Sequence, residues 1–197
     1  MADPVTYTFY GTTIPVLRNT ATSAITILTC AQNEIAAAPP GTFPSETELL
    51  DTHFGTMYPL RMQPILLAKF QLAALQHLQL HGSTPIPALN PGFTSFDDMI
   101  AFFKGLVAVF DAVDEETFNA SAEKSVDVPI GRGESAKILH MPGLADYFHG
   151  FVVPNSYFHL NAIYMLLRSQ GFALSKGVYI GCWMSEHQKN AWAPLKG

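Results

Sequence analysis

Pro154-Asn155-Ser156-Tyr157-Phe158-His159 opens a run that continues Leu160-Asn161-Ala162-Ile163-Tyr164-Met165-Leu166-Leu167. Asn155 and His159 are four residues apart, so on a helix they share a face. That face continues through Ala162, Ile163 and Leu166, while Asn161 and Arg168 fall on the opposite side. The spacing therefore predicts a helix from about Asn155 to Gln170, stopped by Gly171, with an amide and an imidazole turned toward a core.

Three further helices are expected upstream. The first starts at Thr13-Ile14-Pro15, with Thr13 as cap and Pro15 in the first turn, where its missing N–H costs nothing. Val16, Leu17, Ala21, Ala24, Ile25, Leu28, Ala31 and Ile35 then recur at helical spacing, and Pro39-Pro40-Gly41 ends it. The second is read from about Asp51 or Phe54 to Leu80, closed by Gly82. Pro59 and Pro64 interrupt its first turns, and Pro64 should kink or restart it. The third carries Ser95 and Asp98 as a capping box, then Phe96, Met99, Ile100, Phe103, Leu106, Val107 and Phe110. A crossover from His81 to Thr94, with Pro85, Pro87 and Pro91, is long enough to join the second and third helices in parallel. Before the fourth helix, Val126, Val128 and Ile130 alternate, as do Ala136 and Ile138, with Gly131-Arg132-Gly133 as a hairpin turn. A short helical piece from Gly143 to His149 precedes Pro154. The fold class expected is all-α: a four-helix bundle with a long crossover and a small β-hairpin before the last helix. Residues 1–197 read as a single domain, with 182–197 as a C-terminal extension.

Composition narrows the function. Hydrophobic residues make up 48% of the 197 and charged ones 14%, enough apolar material for a core and little for the surface. A net charge of −5 with no basic run argues against nucleic acid as partner. No stretch approaches the ~20 apolar residues of a membrane span. The start shows no secretory signal, and Cys30 and Cys182 read as free thiols, so a cytoplasmic protein is expected. The low charge leaves room for an exposed apolar surface and a homodimer.

The order of elements resembles the DinB/YfiT-like four-helix bundles, and within them a branch found in bacteria and filamentous fungi. The resemblance is carried by Met57-Tyr58-Pro59-Leu60-Arg61-Met62-Gln63, by Asp146-Tyr147-Phe148, and by Pro154 to His159 with Tyr164, Leu166, Leu167, Arg168 and Gly171. It spans roughly residues 8 to 181. It implies three histidines for a divalent metal, one early in helix two and a His-x-x-x-His pair on helix four. Here that pair becomes Asn155 and His159, and Gln63 is the nearest inward polar residue to the first position. The triad is degraded, and amides are poor ligands for zinc or nickel. No metal or other cofactor is expected.

What remains is a polar pocket of Gln63, Asn155 and His159 at the end of an apolar cavity. His159 is the natural proton carrier. Asn155 and Gln63 can bind a carbonyl or enolate oxygen, or hold the imidazole in one tautomer. Tyr58, Tyr157 and Tyr164 offer phenols and Arg61 a charge, while His53 and His149 could approach from the rim. This set suits proton transfer beside a carbonyl in a small hydrophobic substrate: an isomerase, a lyase of the dehydratase type, or a cyclase, with natural-product biosynthesis as the setting the fungal resemblance suggests. No dinucleotide fingerprint, Walker loop or Gly-x-Ser-x-Gly is present. The same residues also fit a non-catalytic bundle that binds a ligand or itself. Asn155 would then cap its helix, and Gln63 would bond a backbone group freed by Pro64. A divalent-metal hydrolase or transferase, with His53 or His149 as substitute ligands, is a third reading. His77 and His81, also four apart, read as the exposed end of helix two.

Overall fold

The computed structural model describes residues 7–131 and 136–193. Helix α1 (Ile14–Ala37) buries Ile14, Leu17, Ala21, Ala24, Leu28 and Ala31. Their 3-4-3-4-3 spacing is a single seam, and its alanines let a neighbour come close. The principal neighbour is α4 (Phe96–Asp111), which buries Phe96, Phe102, Phe103 and Phe110 among other apolar side chains. To the shared core α1 thus contributes small residues and α4 large ones. The Ser95–Asp98 capping box is present, with the Asp98 N–H donating to Ser95 Oγ at 3.2 Å. Thr13 does not cap α1: its side chain makes no cap bond, and its Oγ1 lies 2.9 Å from His149 Nε2.

The second helix departs from expectation. A short α2 (Glu46–Leu50) is followed by a loop and a 3-10 turn over Leu60–Met62, and α3 begins only at Gln63 (Gln63–His77). Of the two effects expected of Pro64, a kink or a restart, the structure has the restart: α3 begins beside it and is not kinked by it. It occupies the first turn, where no N–H is needed. The helix ends at His77, and Gln79 then takes a positive φ of 54°. His77 and His81 are therefore not on one helical face. The crossover to α4 lies tight against it: a Cβ on Gly105 would come within 3.0 Å of the Pro87 ring.

After α4 comes the short α5 (Glu115–Asn119), then the expected hairpin. Strand β1 (Val126–Ile130) pairs antiparallel with β2 (Lys137–Met141), Val128 opposite Leu139. Of the proposed turn, Arg132 and Gly133 lie outside the described residues. Val126 and Val128 are buried, and β1 packs on α3.

The last long helix is longer than the sequence suggested. Helix α6 (Leu144–Tyr147) runs through a π turn (Phe148–Val152) directly into α7 (Val153–Ser169). Val152 and Val153 both keep helical dihedrals. Pro154 deprives Gly150 of its usual i+4 donor, and the π turn is where the ladder changes register. Asn155 is therefore not a cap but sits inside a continuous helix. Gly171, at φ 95°, stops it. Helix α7 packs on α3 and α1, completing a bundle of α1, α3, α4 and α7. Two short helices, α8 (Lys176–Ile180) and α9 (Glu186–Trp192), follow, with α8 against α1. Among the described residues no helix is long and apolar enough to cross a membrane.

The packing yields a direct expectation. Phe103→Ala, at a fully buried ring of α4, should lower the stability measured by urea unfolding by about 3–5 kcal/mol. Met165→Ala, on the solvent side of α7, should change it by less than about 0.5 kcal/mol.

Candidate functional site

The turn Tyr58-Pro59-Leu60-Arg61-Met62 delivers Gln63 to the first position of α3, where its side chain is almost fully buried. A buried amide must find partners. The Nε2 of Gln63 donates to the Tyr58 carbonyl at 2.6 Å, with a longer approach of 3.5 Å to that of Pro59. Those carbonyls can only accept, so the amide cannot flip, and its Oε1 must face the other way. There it lies 2.8 Å from His159 Nδ1. An amide oxygen cannot donate, so Nδ1 carries the proton and Nε2 carries the lone pair.

One turn earlier on α7, Asn155 Nδ2 donates to the Leu66 carbonyl at 3.0 Å. This leaves its second N–H and its Oδ1 for other partners. Deeper in the same seam, Gln71 Nε2 donates to Ser156 Oγ at 2.6 Å, and Ser156 donates to the Val152 carbonyl at 2.7 Å. Gln71 and Ser156 are both fully buried, and Gln71 Oε1 has no hydrogen-bond partner among the described residues. The start of α3 (Gln63) meets His159, while further along it Phe70 accepts from Tyr147 and Gln71 donates to Ser156, so the two helices run antiparallel. Gln71 and Ser156 were missed in the sequence. The available signal was Gln71 at i+8 from Gln63, through Leu67, on the buried face of α3.

The imidazole of His159 is half-buried, and burial pushes its pKa down to about 4. It is therefore neutral across the physiological range.

The structure joins Gln63 to His159, sets Asn155 one turn away on the same α3–α7 seam, and engages the other candidates with different partners. Tyr58 contributes its carbonyl, while its side chain is largely exposed. Arg61 pairs with Asp51 at 2.7 Å. Tyr157 packs its ring toward Trp183 (6.1 Å between centroids), and Tyr164 donates to the Leu174 carbonyl at 2.8 Å and meets Tyr179 edge-on. Both tyrosines thus turn to the α8 side of α7. His53 is exposed and bonds the Gly55 carbonyl at 2.9 Å. His149 sits at Thr12 and Thr13, ten residues and roughly 15 Å of helix from His159. His149 is thus remote from the site, and His53 has its Nδ1 committed to the backbone. The donor set at the site is one imidazole nitrogen and amide oxygens, which does not fit zinc or nickel. Among the described residues no three His, Cys, Asp or Glu side chains cluster tightly enough to hold a metal ion.

A family model described as a domain of unknown function (DUF1993) matches residues 9–180. The chain belongs to the DUF1993 family. The DUF1993 fold is also similar to the crystal structure of a DinB family member protein from Shewanella denitrificans. The TM-score is 0.65 at 16% identity, covering 87% of this chain and 91% of that one. At that identity the likeness carries the fold, and it supports the DinB-like bundle. No curated protein matches the chain.

Two outcomes follow from this geometry. The folded pKa of His159 lies below the ordinary imidazole value of 6.5. The unfolded chain therefore takes up the proton first, and stability falls as pH drops from about 6.5 to about 4. The loss is at most about 3 kcal/mol, and His159→Gln should remove that part of the pH slope in urea titrations. Gln63→Glu places a carboxylate on Nδ1–H and should raise the His159 pKa well above 4, read from the imidazole signals by NMR titration.

Proposed function

We propose that this DUF1993 protein is a metal-independent acid/base enzyme acting on a small hydrophobic carbonyl compound, with His159 as proton acceptor. The observation that carries the reading is the chain Tyr58 carbonyl, Gln63 amide, His159 Nδ1–H. It is a base held in one tautomer by an orienting group, and the lone pair is left on Nε2. As Nε2 takes a proton from the carbon beside the carbonyl, Gln63 Oε1 stays on Nδ1–H and stabilises the imidazolium. The second N–H of Asn155 is available to the oxygen where negative charge develops. Return of the proton to another carbon gives isomerisation; expulsion of a β-hydroxyl, protonated as it leaves, gives dehydration.

The depressed pKa narrows the substrate. A base titrating near 4 is a weak one, so it matches a carbon acid that is already activated, such as a C–H flanked by a carbonyl and an alkene. One observation favours a second reading, a non-catalytic ligand-binding bundle. Gln63 and Asn155 each commit a donor to a backbone carbonyl, as structural amides do.

Turnover of a β,γ-unsaturated ketone and a β-hydroxy ketone, followed by ultraviolet absorbance, separates the two. The enzymatic reading expects acceleration that His159→Ala lowers by about a hundredfold or more. It also expects a rate that is level from pH 5.5 to 8 and falls as pH drops through about 4, where Nε2 protonates. Equal rates with and without His159, in a variant that still folds, would favour the ligand-binding reading.

A further inference from the structure

The two short helices that follow the bundle border a groove. Ser175 caps α8, its Oγ accepting from the Val178 N–H, and Ser185 opens α9 with a capping box. Between the helices lies an open groove of about 710 Å³. Small organic ligands occupy clefts of roughly 300–1,000 Å³. Val178, Ile180, Met184 and Trp192 supply its apolar wall, and Lys176 and Lys189 supply charge. Among the described residues no aspartate or glutamate lines it. In a chain with 16 acidic and 11 basic residues, a groove bearing two ammonium groups and no carboxylate reverses the charge of the whole.

The two lysines are unequally engaged. Lys189 pairs with Glu186, outside the lining, at 2.7 Å in an i,i+3 contact. Glu186 is well exposed, so water competes for this pair and a second carboxylate can displace it. Lys176 makes no ion pair with any described residue. Met184, Lys189 and Trp192 lie beyond the residues the DUF1993 family model matches. Half of the site is therefore built by the C-terminal segment and is separate from the Gln63–His159 seam.

We infer that the α8–α9 groove binds an amphipathic anion: a hydrophobic carboxylic acid whose carboxylate meets Lys176 and Lys189 and whose apolar body lies on Val178, Ile180, Met184 and Trp192. Long lysine stems suit this geometry, since their methylenes extend the apolar wall up to the charge.

The full chain is titrated with decanoate, decan-1-ol and decylammonium, which share one tail and differ in head group. The chain has two tryptophans, so Trp183→Phe leaves Trp192 as the sole indole reporter. Calorimetry on the unaltered chain repeats each titration, should that variant fold poorly. Decanoate should saturate and shift Trp192 emission, with decan-1-ol at least about tenfold weaker and decylammonium weaker again. Lys176→Met and Lys189→Met should each weaken decanoate about fivefold, and together they should abolish its advantage over the alcohol. Glu186→Gln, by releasing Lys189, should tighten decanoate about twofold. Equal affinity for the three probes, a decanoate preference that survives loss of both lysines, or no saturation by decanoate would overturn the assignment.

Discussion

An amide sealed from water has to have its donors and acceptors met, and in this molecule that requirement falls on Gln63. Its nitrogen is taken by the Tyr58 carbonyl, so its oxygen has one direction left, toward α7. That bond ties the entry turn, α3 and α7 at a single point. It also decides which nitrogen of His159 holds the proton. Register and tautomer thus descend from one unflippable amide, while burial sets the basicity of the ring. A net hydrogen bond is worth only about 1 kcal/mol, but leaving such a group unmet costs about 1–3 kcal/mol. The arrangement is held more by the penalty for breaking it than by the gain from forming it.

The bundle divides into two unlike halves. Between α1 and α4 the packing is mainly apolar, rich in alanine on one helix and phenylalanine on the other, and it contributes to the burial that offsets chain entropy. Between α3 and α7 the seam carries Gln63 bonded to His159, Gln71 bonded to Ser156, and Asn155 bonded to the Leu66 carbonyl. Polar pairs there fix which residue faces which, a discrimination that interchangeable leucines do not provide. The apolar seam makes the fold stable, and the polar one sets its alignment and concentrates its chemistry.

Much of this was legible in the sequence because it depends on local periodicity. The stripe of α1, the Ser95–Asp98 box, the alternation of Val126 and Val128, and the inward face shared by Asn155 and His159 are all short-range patterns. What was not legible depends on partners distant in the chain. Pro64 marks the restart of the helix at Gln63, but the stretch before it has apolar residues and no local sign that it forms α2, a loop and a 3-10 turn instead of helix. Thr13 had the right chemistry for a cap, but His149 takes its hydroxyl. Asn155 likewise looked like a cap because Pro154 suggests a boundary, and the continuation through a π turn leaves no compositional mark. Tyr157 and Tyr164 could be put on α7 but not on the side that α8 covers.

That π turn has a consequence in the language of insertion and deletion. A π turn is an α-helix with one residue too many, and each residue of an α-helix accounts for about 100° of rotation. Were one residue removed between Phe148 and Val152, everything after it would turn by about that angle relative to α6. Asn155 and His159 would swing off α3, and their neighbours on the helix surface would replace them. The chemistry of the seam is therefore set by chain length as well as by side-chain identity. Two related chains with identical residues on either side of this point, differing by a single gap, would present different faces to the same core.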